Sequence, residues 1–255
     1  MGERSRYAPN TFCWTDLTTT DPAAAEAFYG ELLGWRAADR PPGEGYGIML
    51  RDGHAVAGIA PQRPEQAEAG ATPAWTSYVA VADADLLARR AQGLGAARIV
   101  PGTDVVGGRM AVLEDPQGAV LALWQAREQI GATLVNAPGA MTWNELASPT
   151  PEDSAAFYRN LFGWTIASAS LSHQRYLAVR NGGANNGGIR EATGAEPPHW
   201  LVYFGTDDLA GALETSDRLG GALVAGPIDI RIAMVAIMRD PQGATFALYD
   251  GAMEP

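Results

Sequence analysis

The chain has 255 residues, 47% of them hydrophobic and 18% charged, which excludes dominant disorder and leaves room for one large domain or two of roughly 125 residues. With 29 acidic against 18 basic residues the formal charge is −11, so no nucleic acid and no anionic membrane is expected as a partner; a single cysteine, Cys13, excludes a disulfide framework and a multi-cysteine metal cluster, and reads as a small buried hydrophobe. No apolar run approaches the ~18 residues of a membrane span and the first residues lack the apolar core of a signal peptide, so a soluble, cytoplasmic protein is expected.

In chain order, residues 12–18 are short, aromatic and β-favouring, and predict a strand. Asp21 (or Thr20) suits an N-cap and Pro22 the first helical position, so a helix over 23–33 follows, ended by Gly34. Its apolar face is Ala24, Ala27, Phe28 and Leu32. Strands over 46–50 and 55–60 flank Arg51-Asp52-Gly53, a hairpin turn. The order then recurs: strand 75–81, helix 85–94, strand 109–114, turn 115–118 and strand 119–124, with a less defined stretch over 99–106 as a further strand. The close strand pairs force antiparallel pairing, which excludes an all-helical or a doubly wound parallel fold.

The second half repeats the first. Trp14-Thr15-Asp16-Leu17 is echoed by Trp143-Asn144-Glu145-Leu146, Pro22 by Pro151, Phe28-Tyr29 by Phe157-Tyr158 and Gly34-Trp35 by Gly163-Trp164, each 129 residues on. Trp75 and Tyr78 recur as Trp200 and Tyr203, and Asp115-Pro116-Gln117-Gly118 recurs as Asp240-Pro241-Gln242-Gly243, each 125 residues on. The chain is two copies of one unit, and each unit is two β-α-β-β-β modules. Asn136-Ala137-Pro138-Gly139 reads as the linker, giving expected domains over 8–130 and 138–252.

Four such modules, with Phe-Tyr on the first helix, Gly-Trp after it and Asp-Pro-x-Gly in the last hairpin, resemble the vicinal oxygen chelate superfamily, the group of glyoxalases, extradiol dioxygenases and bleomycin-resistance proteins. Cys13-Trp14-Thr15-Asp16-Leu17, Gly108-Arg109-Met110-Ala111 and Trp143-Asn144-Glu145-Leu146 resemble, more narrowly, a two-domain actinobacterial branch described as glyoxalase-like or "hydroxylase". The resemblance implies an α+β fold of two half-open barrels, helices outside, each curling around a cavity. Whether modules pair within or across the halves is left open by the sequence.

Metal-dependent members of that superfamily hold a divalent ion with four His, Glu or Gln side chains from four cavity strands. Carried over by register, those positions fall on Trp14, near Ala57, near Thr76 and on Ala122, and in the second half on Trp143, near Gly187, near Leu201 and on Ala247. None is an imidazole or a carboxylate, and a divalent ion needs several converging N or O donors. His54, His173 and His199 lie in or beside turns or at strand starts without ligand spacing. No metal and no cofactor is therefore expected.

Period-two alternation puts Asp16 on the face of Trp14, and Glu145 on that of Trp143. The same register reads Arg109, Ala111 and Leu113 as cavity-facing, with Trp124 on the neighbouring strand, and Met234, Met238 and Tyr249 as second-half counterparts. The expected ligand-binding residues are Trp14, Trp143, Trp124, Met234, Met238, Tyr249 and Asn186, the last from the glycine-rich segment 181–188. The expected catalytic residues are Glu145, Asp16 and Arg109, a carboxylate beside indole serving as acid or base and the arginine steadying negative charge. Two plainer roles stand beside these: the Trp pair as barrel plugs, and the carboxylates as partners in structural ion pairs. Trp35 and Trp164 are expected to be packing anchors, and Trp75 and Trp200 to pack between the halves.

These residues point to a monomeric or homodimeric protein that takes a mid-sized aromatic or polyketide-like small molecule and acts on it by metal-independent isomerisation, cyclisation, dehydration or lyase chemistry. The alternatives are sequestration of a metabolite without chemistry, and metal-dependent glyoxalase or dioxygenase activity through unconventional ligands.

Overall fold

The computed structural model describes residues 2–41, 45–171 and 174–253; His173 lies outside them. The first half runs β1 (Phe12–Thr19), α1 (Pro22–Leu33), β2 (Arg36–Ala37), β3 (Gly47–Arg51), β4 (His54–Pro61), α2 (Pro64–Glu68), β5 (Ala74–Ala80), α3 (Ala84–Gly93), β6 (Ala97–Val105), β7 (Gly108–Glu114) and β8 (Val120–Ala126). The second runs β9 (Met141–Ser148), α4 (Pro151–Phe162), β10 (Thr165–Leu171), β11 (Gln174–Asn181), β12 (Ala184–Glu191), β13 (His199–Thr206), α5 (Leu209–Arg218), β14 (Ala222–Asp229), β15 (Ala233–Arg239) and β16 (Thr245–Gly251). Among these helices none is long and apolar enough to cross a membrane.

Each half is one eight-stranded mixed sheet, ordered β2-β3-β4-β1-β5-β8-β7-β6 and β10-β11-β12-β9-β13-β16-β15-β14. Modules one and two therefore share a sheet, as do three and four, joined by the antiparallel pairs β1–β5 and β9–β13. The first and last strands of each module run parallel, β1 with β4 and β5 with β8, because the helical crossover restores the chain's direction and the two hairpins that follow reverse it twice. The sheets curl but do not close, which makes each a half-open barrel.

Local chemistry sets the helix ends as read from the sequence. Asp21 accepts from the Ala24 amide at 3.0 Å, Pro22 opens α1, and Gly34 ends it at φ 70°. The convex faces of both sheets and their helices merge into one apolar core, α1 lying against α5 and α3 against α4.

The repeated motifs meet in that core and cross between halves. Tyr29 donates to Asp240 Oδ2 at 3.0 Å and accepts from Trp75 Nε1 at 3.0 Å. Tyr158 likewise donates to Asp115 Oδ2 and accepts from Trp200 Nε1, both at 2.9 Å. The Phe-Tyr helix of one half is thus bonded to the Asp-Pro-x-Gly turn of the other. Trp35 and Trp164 donate to the carbonyls of Gly139 and Asn10, so they anchor each half to chain outside its own sheet. Cys13 is fully buried, and burial pushes its thiol up.

Candidate functional site

The concave face of the first sheet is fixed by register. Asp16 sits beside Gly58 of β4 and Thr76 of β5, and Trp14 beside Tyr78, which adjoins Ala122 of β8. Val112 and Met110 of β7 follow, opposite Ala122 and Trp124. On the second sheet the equivalent row is Glu145, Gly188 and Leu201, then Trp143, Tyr203, Ala247 and Ile237. Leu201, Tyr203, Ala233, Val235 and Ala247 form a separate apolar cluster there, with Trp143, Ile237 and Tyr249 against it.

Each concave face carries one carboxylate in a cage of aromatic hydroxyls. Tyr78 donates to Asp16 Oδ2 at 2.7 Å, and Tyr46 to the same oxygen at 3.4 Å while accepting from Trp14 Nε1 at 2.8 Å. In the second half Tyr203 donates to Glu145 Oε1 and Trp143 Nε1 to the Tyr176 hydroxyl, both at 2.9 Å. Glycine makes the cage possible. A Cβ on Gly58 would collide with the Tyr46 hydroxyl, and one on Gly188 with the Tyr176 hydroxyl. The tyrosine of the hairpin therefore reaches across an empty position to the central strand.

The halves differ in the charge beside the carboxylate. Arg190 of β12 donates Nε to Glu145 Oε1 at 2.9 Å and holds Glu196 through both terminal nitrogens. Burial works against the Glu196 carboxylate, but the Arg190 bonds and the Thr193 amide overcome it and hold that group down to about 2. The first-half position equivalent to Arg190 is Ala60. Among the described residues Asp16 has no cationic partner. Burial consequently pushes its carboxyl up to about 6, against the opposing pull of the Tyr78 and Tyr46 hydroxyls.

Several expected residues are placed elsewhere. Arg109 is on the convex face, bonded to Asp85 Oδ2 at 2.9 Å, Asp104 Oδ1 at 2.9 Å and the Gly102 carbonyl at 2.8 Å. Its cross-strand neighbour Gln125 caps α3 through the Ala84 amide, which confirms the helix side. Met234 and Met238 are also off the concave face. Met238 lies under α5, in a shallow depression of about 310 Å³ with Leu213 and Leu223, and Met234 pairs with Asp250, which accepts from the first amide of α5. The alternation is one residue out from that expected, so Met110 and Val112, and Val235 and Ile237, lie on the concave faces instead.

Asn186 is a clamp between the halves, accepting from the Phe12 amide and donating to the Asn10 carbonyl, both at 3.2 Å. It lies within strand β12, which begins at Ala184. Trp14, Trp143, Trp124 and Tyr249 do stand on the concave faces, where Trp124 meets Tyr78 edge-on with ring centroids 6.4 Å apart. Sequence reasoning missed Tyr46, Tyr176 and Arg190. The tyrosines recur 130 residues apart, as do Gly58 and Gly188, and that spacing was the available signal.

The donor set does not fit a divalent ion. The strand positions that the fold would use carry Trp14, Gly58, Thr76 and Ala122, and among the described residues no three His, Cys, Asp or Glu side chains converge. His54 and His199 each lie 3.9 Å from a single glutamate, Glu3 and Glu196.

The glyoxalase/bleomycin resistance protein/dioxygenase superfamily matches residues 11–123, and a glyoxalase-like domain family matches residues 145–249. CFP32 of Mycobacterium tuberculosis (strain CDC 1551 / Oshkosh), a protein whose name assigns it provisionally to the glyoxylases, is 40% identical over 259 residues, 99% of each chain. DnrV of Streptomyces peucetius, named as an anthracycline biosynthesis protein, is 33% identical over 261 residues, 96% of this chain and 95% of that one. Among solved structures, the 2,3-dioxygenase LapB of Pseudomonas sp. KL28 superposes with a TM-score of 0.67 at 15% identity, over 98% of this chain and 95% of that one. The Mn(II)-bound glyoxalase of Novosphingobium aromaticivorans gives 0.68 at 13% identity, over 100% and 84%. At such identities these two structures speak for the fold alone.

Proposed function

The chain belongs to the glyoxalase/bleomycin resistance protein/dioxygenase superfamily, and from that premise we propose that it acts on a mid-sized aromatic or polyketide-like metabolite by proton transfer at Asp16, without a metal. The observation that carries this reading is the cluster Trp14–Tyr46–Asp16–Tyr78 on the concave face of the first sheet, a carboxylate held by hydroxyls and, among the described residues, facing no cation. A carboxyl titrating near 6 is matched to taking and returning a proton at neutral pH. It takes the proton from an acidic C–H or O–H of the ligand, and the electron pair left behind moves onto a conjugated oxygen. The Tyr78 hydroxyl and Trp14 Nε1 are the nearby donors for that oxygen, in the role the sequence reading gave to Arg109. The name of the Streptomyces relative, an anthracycline biosynthesis protein, is in keeping with this ligand class.

The second half suits binding without chemistry. Arg190 holds Glu145 Oε1 at 2.9 Å and Tyr203 donates to the same oxygen, so that carboxylate is already engaged within the protein. Sequestration is therefore the rival reading, and it is separable by experiment. With a panel of aromatic polyketides, the proposal predicts that Asp16→Asn keeps quenching of Trp fluorescence and loses conversion, followed by mass spectrometry and by deuterium uptake from D2O. Ligand recovered unchanged and undeuterated from the unmodified chain, despite tight binding, decides for sequestration.

A further inference from the structure

Tyr46 is an unusual component of its site. Its residue is 40% exposed, yet its hydroxyl lies at the inner end, between Trp14 Nε1 at 2.8 Å and Asp16 Oδ2 at 3.4 Å. Tyr78 holds the same carboxylate oxygen at 2.7 Å, so the Tyr46 bond is the longer and weaker of the two. The hydroxyl has room only because Gly58 carries no side chain. Tyr46 also precedes β3, whose pairing with β4 starts at Gly47, so it stands outside the paired register.

Its counterpart is fastened. Tyr176 lies within β11, paired with Ala169 on one side and Arg190 on the other, and is 7% exposed. The same phenol is thus built into the second half and only leant into the first.

We propose that Tyr46 is a stand-in for the ligand: the first-half site takes a phenolic ring whose hydroxyl replaces that of Tyr46 between Trp14 Nε1 and Asp16 Oδ2, while the Tyr46 ring swings outward. This rests on the assignment of the ligand site to the first half. The ligand class follows from the two bonds to be replaced. Its hydroxyl must accept from an indole N–H and donate to a carboxylate, and its ring must be flat enough to fit where a tyrosine ring fits. An aryl ether satisfies only the first of these demands. Because bound phenol and Tyr46 compete for one place, the apparent affinity is lowered by the share of molecules in which Tyr46 fills it.

The test uses 1-naphthol and 1-methoxynaphthalene, titrated calorimetrically into the full chain and its variants. Tyr46→Ala is expected to bind 1-naphthol about tenfold more tightly than the unmodified chain, the factor set by a hydrogen bond of ordinary strength to a charged group. Tyr46→Phe keeps the ring packing, serves if the alanine variant does not fold, and is expected to show a smaller gain. Neither variant improves binding of 1-methoxynaphthalene, and Gly58→Ala weakens 1-naphthol because its methyl takes the hydroxyl's place. If 1-naphthol binds the unmodified chain and is lost on Trp14→Ala, yet both Tyr46 variants bind it no better, the stand-in is wrong and the first-half site survives. If 1-naphthol binds none of these chains, or binds regardless of Trp14→Ala, both are wrong.

Discussion

At Asp16 burial and function pull in opposite directions. A carboxyl whose proton is held to about 6 in the folded chain, against 3.8 when free, is bound more tightly by the folded than by the unfolded state. The stability of the chain therefore falls as pH rises from about 4 to about 6 and is level above that. Asp16→Asn removes this penalty, so thermal or urea unfolding at pH 7 is expected to show a gain of as much as ~3 kcal/mol, shrinking to nothing near pH 4. Glu145→Gln should do the reverse. It leaves Arg190, a half-buried cation, with Glu196 alone, and is expected to destabilise by about 1–3 kcal/mol. Opposite signs at equivalent positions would mark Asp16 as kept for something other than stability.

At the scale of elements, what separates the charge of the two sites is a side chain on the strand beside the carboxylate. Ala60 of β4 and Arg190 of β12 occupy the same place, two residues beyond the glycines that adjoin Asp16 and Glu145. Ala60→Arg should bring a guanidinium to Asp16, lower its titration from near 6 and flatten the stability–pH profile between 4 and 6. A profile unchanged from that of the parent would show that β4 cannot present the arginine as β12 does. The strands also explain what the sequence disclosed and what it hid. The repeat, the helix caps and the Trp-x-carboxylate pairs were legible, because β1 and β9 have chemically distinct faces. On β7 and β15 the pattern was silent, since one face meets a helix and the other the aromatic concave face and both are largely apolar. Arg109, Met234 and Met238 were read onto the wrong face for that reason. Asn186 was misread because its partners, Phe12 and Asn10, are more than 170 residues away.

For the whole molecule, the duplicated motifs serve to join the copies. Tyr29 with Asp240, and Tyr158 with Asp115, tie each half's helix to the other half's turn within a shared aromatic core. Asp240 also accepts from the amides of Gln242, Gly243 and Ala244, so its turn and the interface depend on one carboxylate. Tyr29→Phe removes one donor while preserving packing, and about 1–2 kcal/mol of destabilisation is expected in urea unfolding. The transition should stay single, because most of the buried apolar residues belong to one cluster shared by both halves, the second half's own cluster being small. Two resolved transitions would mean that the halves fold as separate units and that the crossed bonds are incidental.

The central claim, that the first half holds a carboxyl poised for proton transfer, has a direct measurement. Side-chain carboxyl ¹³C chemical shifts of aspartate-labelled protein, with Asp16 assigned by its disappearance in Asp16→Asn, can be followed from pH 3 to pH 8. The account predicts a midpoint near 6 for Asp16. A midpoint in the ordinary aspartate range, about 4, would contradict it.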